Sequence, residues 1–130
     1  MNREELSASE TLIMKAVWDH GEDITVKDLI ERLQEEYDKD YKRTTVATFL
    51  VRLSDKRFIS TYRIGRLSFV HAEKTKEEYK QYIAQRDTRF WFAGKGSGFL
   101  AALFGTEKPD AEDIRRMREI LDELDGNAAD

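Results

Sequence analysis

The chain has 130 residues, of which 40% are hydrophobic and 37% are charged, and its formal net charge is −4. This size and composition fit one compact domain, or a small domain with an accessory segment. Cysteine is absent, which excludes disulfides, thiolate metal sites and cysteine nucleophiles. No apolar run is long enough to span a membrane and the N-terminus is polar and acidic, so we expect a cytoplasmic protein with no membrane partner.

The charges are strongly segregated along the chain. Residues 1–41 contain five basic and twelve acidic side chains, whereas residues 42–66 contain seven basic side chains and a single acidic one, Asp55. Such asymmetry can guide a polyanion to one face of an otherwise acidic protein. The basic segment could equally pair with the acidic helices beside it. Charge alone leaves both interpretations open.

The N-terminal third predicts two helices and a short strand. Ser7 and Glu10 form a capping box ahead of apolar residues at helical spacing, and Gly21 is typical of a left-handed helix end. Ile24 predicts one short strand. Thr25 then caps a second helix with an apolar face.

Residues 41–60 read YKRTTVATFLVRLSDKRFIS and predict a third helix from about Arg43 to Lys56. On a helical wheel, one side of this helix is apolar and forms the expected core stripe. The core residues are Val46, Phe49, Leu50 and Leu53. The opposite side carries Thr44 and Thr48, one turn apart. This pattern predicts a helix with one buried face and one face available to a partner.

Residues 59–72 alternate in polarity around Gly65 and Arg66, which predicts a β-hairpin with a tight loop. Three helices followed by a hairpin form a winged-helix arrangement, in which the third helix enters the major groove of DNA. We therefore assign residues 1–72 to a winged helix-turn-helix domain. The predicted fold class is mainly α with a small β-hairpin.

Residues 73–130 predict an α-helical dimerisation region. A long helix ending in FWF, a glycine-rich hinge (AGKGSG), a short apolar helix (FLAALF) and a final helix capped by Asp110 follow in order. Their apolar stripes cannot form a core alone and would be large exposed patches on a monomer. We expect a homodimer; the alternative is that these helices fold back on the first domain. The predicted dimerisation residues are Tyr79, Tyr82, Ile83, Phe90, Trp91, Phe99, Leu100, Leu103, Phe104, Ile114, Met117, Leu121 and Leu124.

The residues that usually carry catalysis show no supporting pattern. His20 and His71 lie far apart, and neither belongs to a cluster of carboxylates with metal-ligand spacing. The segment GKGSG lacks the spacing of a phosphate-binding loop and no strand precedes it. We therefore expect no enzymatic activity, no metal site and no cofactor.

The exposed side of the third helix suits DNA. A threonine such as Thr44 or Thr48 offers a hydroxyl to a base edge or phosphate and a methyl group to thymine. Val51 is apolar on the same exposed side, which suits a thymine methyl. Lys42 and Arg43 begin the helix, where backbone N–H groups and the helix dipole also favour phosphate.

Further basic residues follow at the helix end and in the hairpin. Arg66 at the hairpin tip can reach phosphate or the minor groove, and Arg63 points along the same ribbon. Lys56 and Arg57 are better placed for the DNA backbone. Arg52 could contact DNA or pair with an acidic residue of the second helix. The predicted DNA-binding residues are Lys42, Arg43, Thr44, Thr45, Thr48, Val51, Arg52, Arg63 and Arg66.

In these motifs the chain resembles the penicillinase and methicillin-resistance repressors, the BlaI/MecI family with its copper-responsive CopY-type relatives. The residues that carry the resemblance are Leu6-Ser7-Ala8-Ser9-Glu10 with Met14 and Trp18, Thr44-Thr45-Val46 with Thr48, Leu50, Arg52 and Leu53, Gly65-Arg66, and Asp113-Ile114 through Ile120-Leu121. It spans roughly residues 6–124. The resemblance implies a dimeric winged-helix repressor that binds inverted-repeat operators through its third helix and wing.

Three departures from the family limit what the resemblance implies. Members controlled by a sensor-protease are cut at an Asn-Phe bond that aligns with Ala102-Leu103 here, so cleavage-driven release is not expected. Copper-responsive members carry C-terminal cysteine pairs, which this chain lacks. The usual glycine after the third helix falls at Arg57, so we expect either a different turn or an arginine placed for DNA.

Together these patterns predict a homodimeric transcriptional repressor that binds double-stranded DNA at a palindromic promoter operator. The alternative is a winged helix that binds another protein through the exposed face of its third helix, without sequence-specific DNA binding. Salt dependence distinguishes the two, because neutralising phosphates releases counterions and makes affinity fall steeply with salt.

Overall fold

The computed structural model describes residues 5–126. Within this range the helices are α1 (Ala8–His20), α2 (Val26–Tyr37), α3 (Arg43–Asp55), α4 (Lys76–Phe92), α5 (Gly96–Leu103) and α6 (Ala111–Asp125), and the strands are β1 (Ile24–Thr25), β2 (Ile59–Ile64) and β3 (Leu67–Ala72). The predicted mainly α winged-helix arrangement with a small β-hairpin is confirmed. The first compact unit ends at Tyr82 and the second begins at Ile83.

The first two helices begin and end as their sequence indicates. The hydroxyl of Ser7 accepts a hydrogen bond from the N–H of Glu10, and the Glu10 carboxylate accepts one from the N–H of Ser7, which completes the capping box. Gly21 ends α1 with φ +84°. Thr25 caps α2 by accepting from the N–H of Asp28. These local contacts fix where both helices begin.

The three strands form an antiparallel sheet in the order β1-β3-β2. Ile24 pairs with Val70, which confirms the predicted short strand and ties the start of α2 to the hairpin. The hairpin register runs from Ile59 opposite Ala72 to Ile64 opposite Leu67. The two-residue loop between these strands begins with Gly65 at φ +61°, a value that glycine adopts without steric cost.

The core of the first unit lies between α1, α2, α3 and the inner face of the sheet. Val46, Leu50 and Leu53 of α3 are buried, and Phe49 is half-buried and packed against the core, as the helical wheel predicts. The remaining buried apolar residues are Ile13, Met14, Ala16, Val17, Ile24, Val26, Leu29, Leu33, Phe58, Ile59 and Val70. This packing leaves the opposite side of α3 facing outward.

The turn after α3 contains a residue in the left-handed backbone conformation, and this residue is an arginine, Arg57. Arg57 has φ +64°; its N–H donates to the carbonyl of Ser54 at 3.0 Å, and the N–H of Phe58 donates to the carbonyl of Leu53 at 3.0 Å. This is the Schellman pattern that ends many helices, normally with glycine at the left-handed position. Leu53 and Phe58 are both buried, so their packing holds the turn in place. The expected glycine is thus replaced without a change of turn.

The predicted glycine-rich hinge is shorter than expected. Gly96–Leu103 is helical, so the last three residues of AGKGSG form the first turn of α5. Only residues 93–95 separate α4 from α5, and Ala93 and Gly94 have φ values of +51° and +76°. A Cβ atom on Gly98 would lie 3.4 Å from the Phe92 ring. Phe92 thus lies beside the first turn of α5, where its ring centroid is 5.6 Å from that of Phe99.

Candidate nucleic-acid interface

The outward side of α3 presents the residues predicted to contact DNA. Thr44, Thr48, Val51 and Arg52 are exposed, and Thr45 is half-buried. Val51 keeps 61% of its surface accessible. The hydroxyl of Thr48 donates to the carbonyl of Thr44 at 3.1 Å, so its proton is already used inside the helix. Thr48 therefore offers a partner its oxygen lone pairs and its methyl group.

The N-terminus of α3 differs from those of three other helices. Lys42 occupies the cap position and makes no side-chain hydrogen bond to the first turn. In α1, α2 and α6 the caps Ser7, Thr25 and Asp110 accept from a backbone N–H. The first N–H groups of α3 therefore remain available to an external acceptor, beside the exposed cations of Lys42 and Arg43.

An open groove of about 430 Å³ separates α3 from the hairpin. Its helix side is formed by Arg43, Ala47, Val51, Ser54 and Asp55, and its hairpin side by Thr61, Tyr62, Arg63 and Ser68. One arginine lies on each wall, at Arg43 and Arg63. Asp55 is the acidic residue in this lining. The groove joins the helix and the hairpin into one continuous surface.

Lys56 does not face outward, contrary to the expectation that it meets DNA. Its Nζ lies 2.7 Å from Oε1 of Glu10 and donates to the carbonyl of Glu5 at 2.8 Å. Only 17% of its side chain is exposed, and only 2% of that of Glu10. Burial acts to raise the pKa of Glu10, but the hydrogen bonds from Lys56 and Ser7 outweigh it and hold the pKa below its ordinary value. Lys56 therefore ties the end of α3 to the start of α1.

The other six cations between residues 42 and 66 form no ion pair with any residue in the range 5–126. They are Lys42, Arg43, Arg52, Arg57, Arg63 and Arg66. The suggested pairing of Arg52 with the second helix is not formed; its guanidinium lies 5.9 Å from the ring centroid of Phe49. Among the seven cations of residues 42–66, therefore, Lys56 is the one that pairs with an acidic helix of the described chain.

A carboxylate from the loop before β1 holds both strands of the wing. The Tyr62 hydroxyl donates to Oδ2 of Asp23 at 2.5 Å, and Nδ1 of His71 lies 2.7 Å from Oδ1. The hydrogen bonds from Tyr62 and His71 lower the pKa of Asp23, and the hydrogen bond with Asp23 raises the pKa of His71. Sequence reasoning missed this cluster, because its members lie 39 and 48 positions apart.

The helices of the second unit keep large apolar side chains exposed. Phe90, Trp91 and Leu124 are 74%, 71% and 80% accessible, and no residue of α4, α5 or α6 is buried. Of the other predicted dimerisation residues, those exposed are Leu100, Leu103 and Leu121, and those half-buried are Ile83, Phe99, Phe104, Ile114 and Met117.

Two further residues from that predicted set have partners inside the first unit. The Tyr79 ring lies 5.5 Å from that of Trp18 and 5.8 Å from that of Phe58, measured between centroids. The Tyr82 hydroxyl donates to Oε1 of Glu5 at 2.8 Å. The start of α4 thus packs on the winged-helix core.

Residues 5–126 contain neither a cluster of metal ligands nor a membrane-spanning helix. In this range no group of three or more His, Cys, Asp or Glu side chains is close enough to hold a metal ion. No helix there is long and apolar enough to cross a membrane.

The helix order, the hairpin and the cationic outer face of α3 define a winged-helix transcriptional regulator. Residues 6–123 match the penicillinase repressor family. Because the match covers nearly the whole chain, the protein belongs to this family, which is one of transcriptional repressors.

Several known proteins are similar to this chain in sequence or in structure. A 16.5 kDa protein of uncharacterised function from the region 3′ of ptsI in Latilactobacillus sakei is 28% identical over 120 residues, which are 92% of this chain and 80% of the relative. The DNA-binding domain of the repressor BlaI is 24% identical with a TM-score of 0.50, covering 58% of this chain and 88% of the domain. RosR of H. salinarum is 17% identical with a TM-score of 0.53, covering 96% of both chains. The two structures share the fold.

Proposed function

We propose that this protein is a homodimeric transcriptional repressor that binds a palindromic promoter operator through α3 and the wing. The observation that carries the proposal is the set of six cations on α3, its following turn and the hairpin. They have no ion-pair partner within residues 5–126, although the chain as a whole is acidic. A polyanion that docks on this face supplies the missing counter-charge.

In the proposed complex, α3 lies in the major groove of DNA. Thr44, Thr48 and Val51 face the base edges. Because the Thr48 hydroxyl donates inside the helix, it reads a base by accepting from an amino group or through its methyl group. Arg43 and the uncapped first turn bind phosphate, which fixes the register of the helix on the duplex.

The second unit supports dimerisation. Phe90, Trp91, Leu121 and Leu124 would remain in water on a monomer, and a second copy of the chain would bury them. Two winged-helix units then bind two half-sites whose centres lie roughly 34–36 Å apart, one helical turn, or a multiple of that distance. A chain that sediments as a monomer at micromolar concentration would rule out this part of the proposal.

The test is a salt titration of binding to the tightest duplex selected from a randomised DNA pool. We expect the affinity to fall steeply with salt, and Arg66→Ala to reduce the slope of log K against log salt by about 1 per contact. Lys80→Ala on α4, which removes a Lys80–Glu77 pair and the same charge, is the matched control and should leave the slope unchanged. A flat, micromolar affinity of the parent would instead favour the protein-interaction module.

A further inference from the structure

A single carboxylate interrupts the cationic face that we propose for DNA. Asp55 is the last residue of α3 and the one acidic residue among residues 42–72. Its side chain is exposed, and it lines the groove that also holds Arg43 and Arg63. A carboxylate on a surface that binds a polyanion weakens binding unless it has a specific partner there. Either the fold or the partner must therefore account for this residue.

The fold does not account for Asp55. It forms no ion pair with any residue in the range 5–126, although Arg52 lies about one turn earlier on the same helix. A negative charge at the C-terminal end of a helix opposes the helix dipole. Asp55 is also not among the residues that pack in the core or against it. Folding therefore gains little from this carboxylate.

Asp55 lies on the side of α3 that we propose to read bases. Four exposed residues follow one another at spacings of four, three and four positions, which places them in one row along the helix: Thr44, Thr48, Val51 and Asp55. At 1.5 Å per residue the row is about 16 Å long, which is the length of about five base pairs. The carboxylate thus continues the row of proposed base contacts.

The chemistry of the base edges determines which base suits this side chain. An ionised carboxylate only accepts hydrogen bonds. In the major groove, guanine presents two acceptors, thymine presents an acceptor and a methyl group, and adenine has its amino group beside the acceptor N7. Cytosine presents an amino donor alone. We propose, on the basis of the function proposed above, that Asp55 is a specificity-determining residue that accepts a hydrogen bond from the N4 amino group of a cytosine in each half-site.

The cations and the carboxylate of this face then have different effects on binding. Arginine and lysine side chains that neutralise phosphates increase the affinity for any DNA sequence. Asp55 is repelled by the phosphates at every site, and this repulsion is offset only where a cytosine amino group faces it. A repulsive element of this kind increases discrimination, because it disfavours the competing sequences. Asp55 therefore lowers the affinity for DNA in general and favours the operator.

The experiment measures the base preference of the parent and of Asp55→Ala. The parent selects duplexes from a randomised pool, and each cytosine that the selected half-sites share is replaced in turn by the other three bases. At one of these positions we expect the parent to bind the replaced duplexes roughly tenfold more weakly than the selected one. Asp55→Ala should bind the four duplexes of that position within about twofold of one another.

Glu31→Ala is the matched control, because it removes the same charge from an exposed position on α2 that lies outside the groove. It should keep every base preference of the parent. Urea unfolding checks that Asp55→Ala is folded; its midpoint should equal or exceed that of the parent, since the removed charge opposes the helix dipole.

Two results would overturn the inference. One is a set of selected half-sites that share no cytosine. The other is an Asp55→Ala variant that keeps every base preference of the parent; if this variant also binds all duplexes more tightly by one factor, the carboxylate faces the phosphate backbone instead. Failure of the parent itself to bind DNA would refute the proposed function, so the two failures are distinguishable.

Discussion

Replacing Arg57 by glycine should stabilise the protein. Its φ of +64° costs a non-glycine residue about 1–2 kcal/mol. Glycine removes this cost but adds about 0.4–1 kcal/mol of freedom to the unfolded chain, which leaves a net gain of about 1 kcal/mol. The turn depends on backbone hydrogen bonds, from Arg57 to Ser54 and from Phe58 to Leu53, so Arg57→Gly keeps it.

The matched control is Arg57→Ala, which removes the guanidinium but keeps the left-handed strain. In urea unfolding monitored by circular dichroism, we expect a higher midpoint for Arg57→Gly with an unchanged m-value, and a midpoint near that of the parent for Arg57→Ala. Equal stabilisation in both variants would show that charge repulsion was relieved, and would refute the strain argument. If the guanidinium also contacts DNA, both variants lose affinity by the same factor.

Two further predictions concern the buried ion pair and the carboxylate that holds the wing. Lys56→Met leaves the carboxylate of Glu10, which is 2% exposed, without its ammonium partner; we expect a loss of about 3 kcal/mol in urea unfolding, which the added change Glu10→Gln recovers in large part. For the wing, Asp23 has a lowered pKa through Tyr62 and His71, and His71 has a raised pKa through Asp23. The carboxylate's contribution to stability is lost as the pH falls through its folded-state pKa, and the imidazolium's is lost as the pH rises through its raised folded-state pKa. We therefore expect the thermal midpoint of the parent to fall at low pH, where Asp23 becomes protonated, and at high pH, where His71 loses its proton. In Asp23→Asn both of these pH dependences should disappear. An NMR titration midpoint of His71 that stays high in this variant would contradict the assignment.

The features that could be predicted from the sequence are those set by near neighbours. The cap at Ser7 depends on a residue three positions away, and the loop at Gly65 depends on a single backbone angle. The buried stripe of α3 follows from helical spacing alone, because Val46, Leu50 and Leu53 must share a side. In each case the physical cause lies within one or two turns of the chain.

The contacts that could not be predicted join distant segments. Lys56 and Glu10 are 46 positions apart, and each has a plausible local interpretation: a phosphate contact for the lysine and a capping box for the glutamate. Glu10 in fact serves the cap and the ion pair with one oxygen atom. Gly98 shows the same limit, since the low helix propensity of glycine predicts a hinge at residues 96–98, whereas the structure places these residues in the first turn of α5. The fold decides these cases, and the local sequence does not.

The distribution of ion pairs sets an upper limit on how strongly the proposed complex can depend on salt. Lys56 forms an ion pair with Glu10. Within the acidic helices, Lys15 pairs with Asp19 and Arg32 pairs with Glu36. Six unpaired cations per chain remain on α3 and the wing, so two chains offer twelve. At a slope of about −0.9 for each neutralised phosphate, log affinity against log salt can be no steeper than about −11. A steeper slope would mean that DNA also contacts cations outside this face, where acidic residues outnumber basic ones.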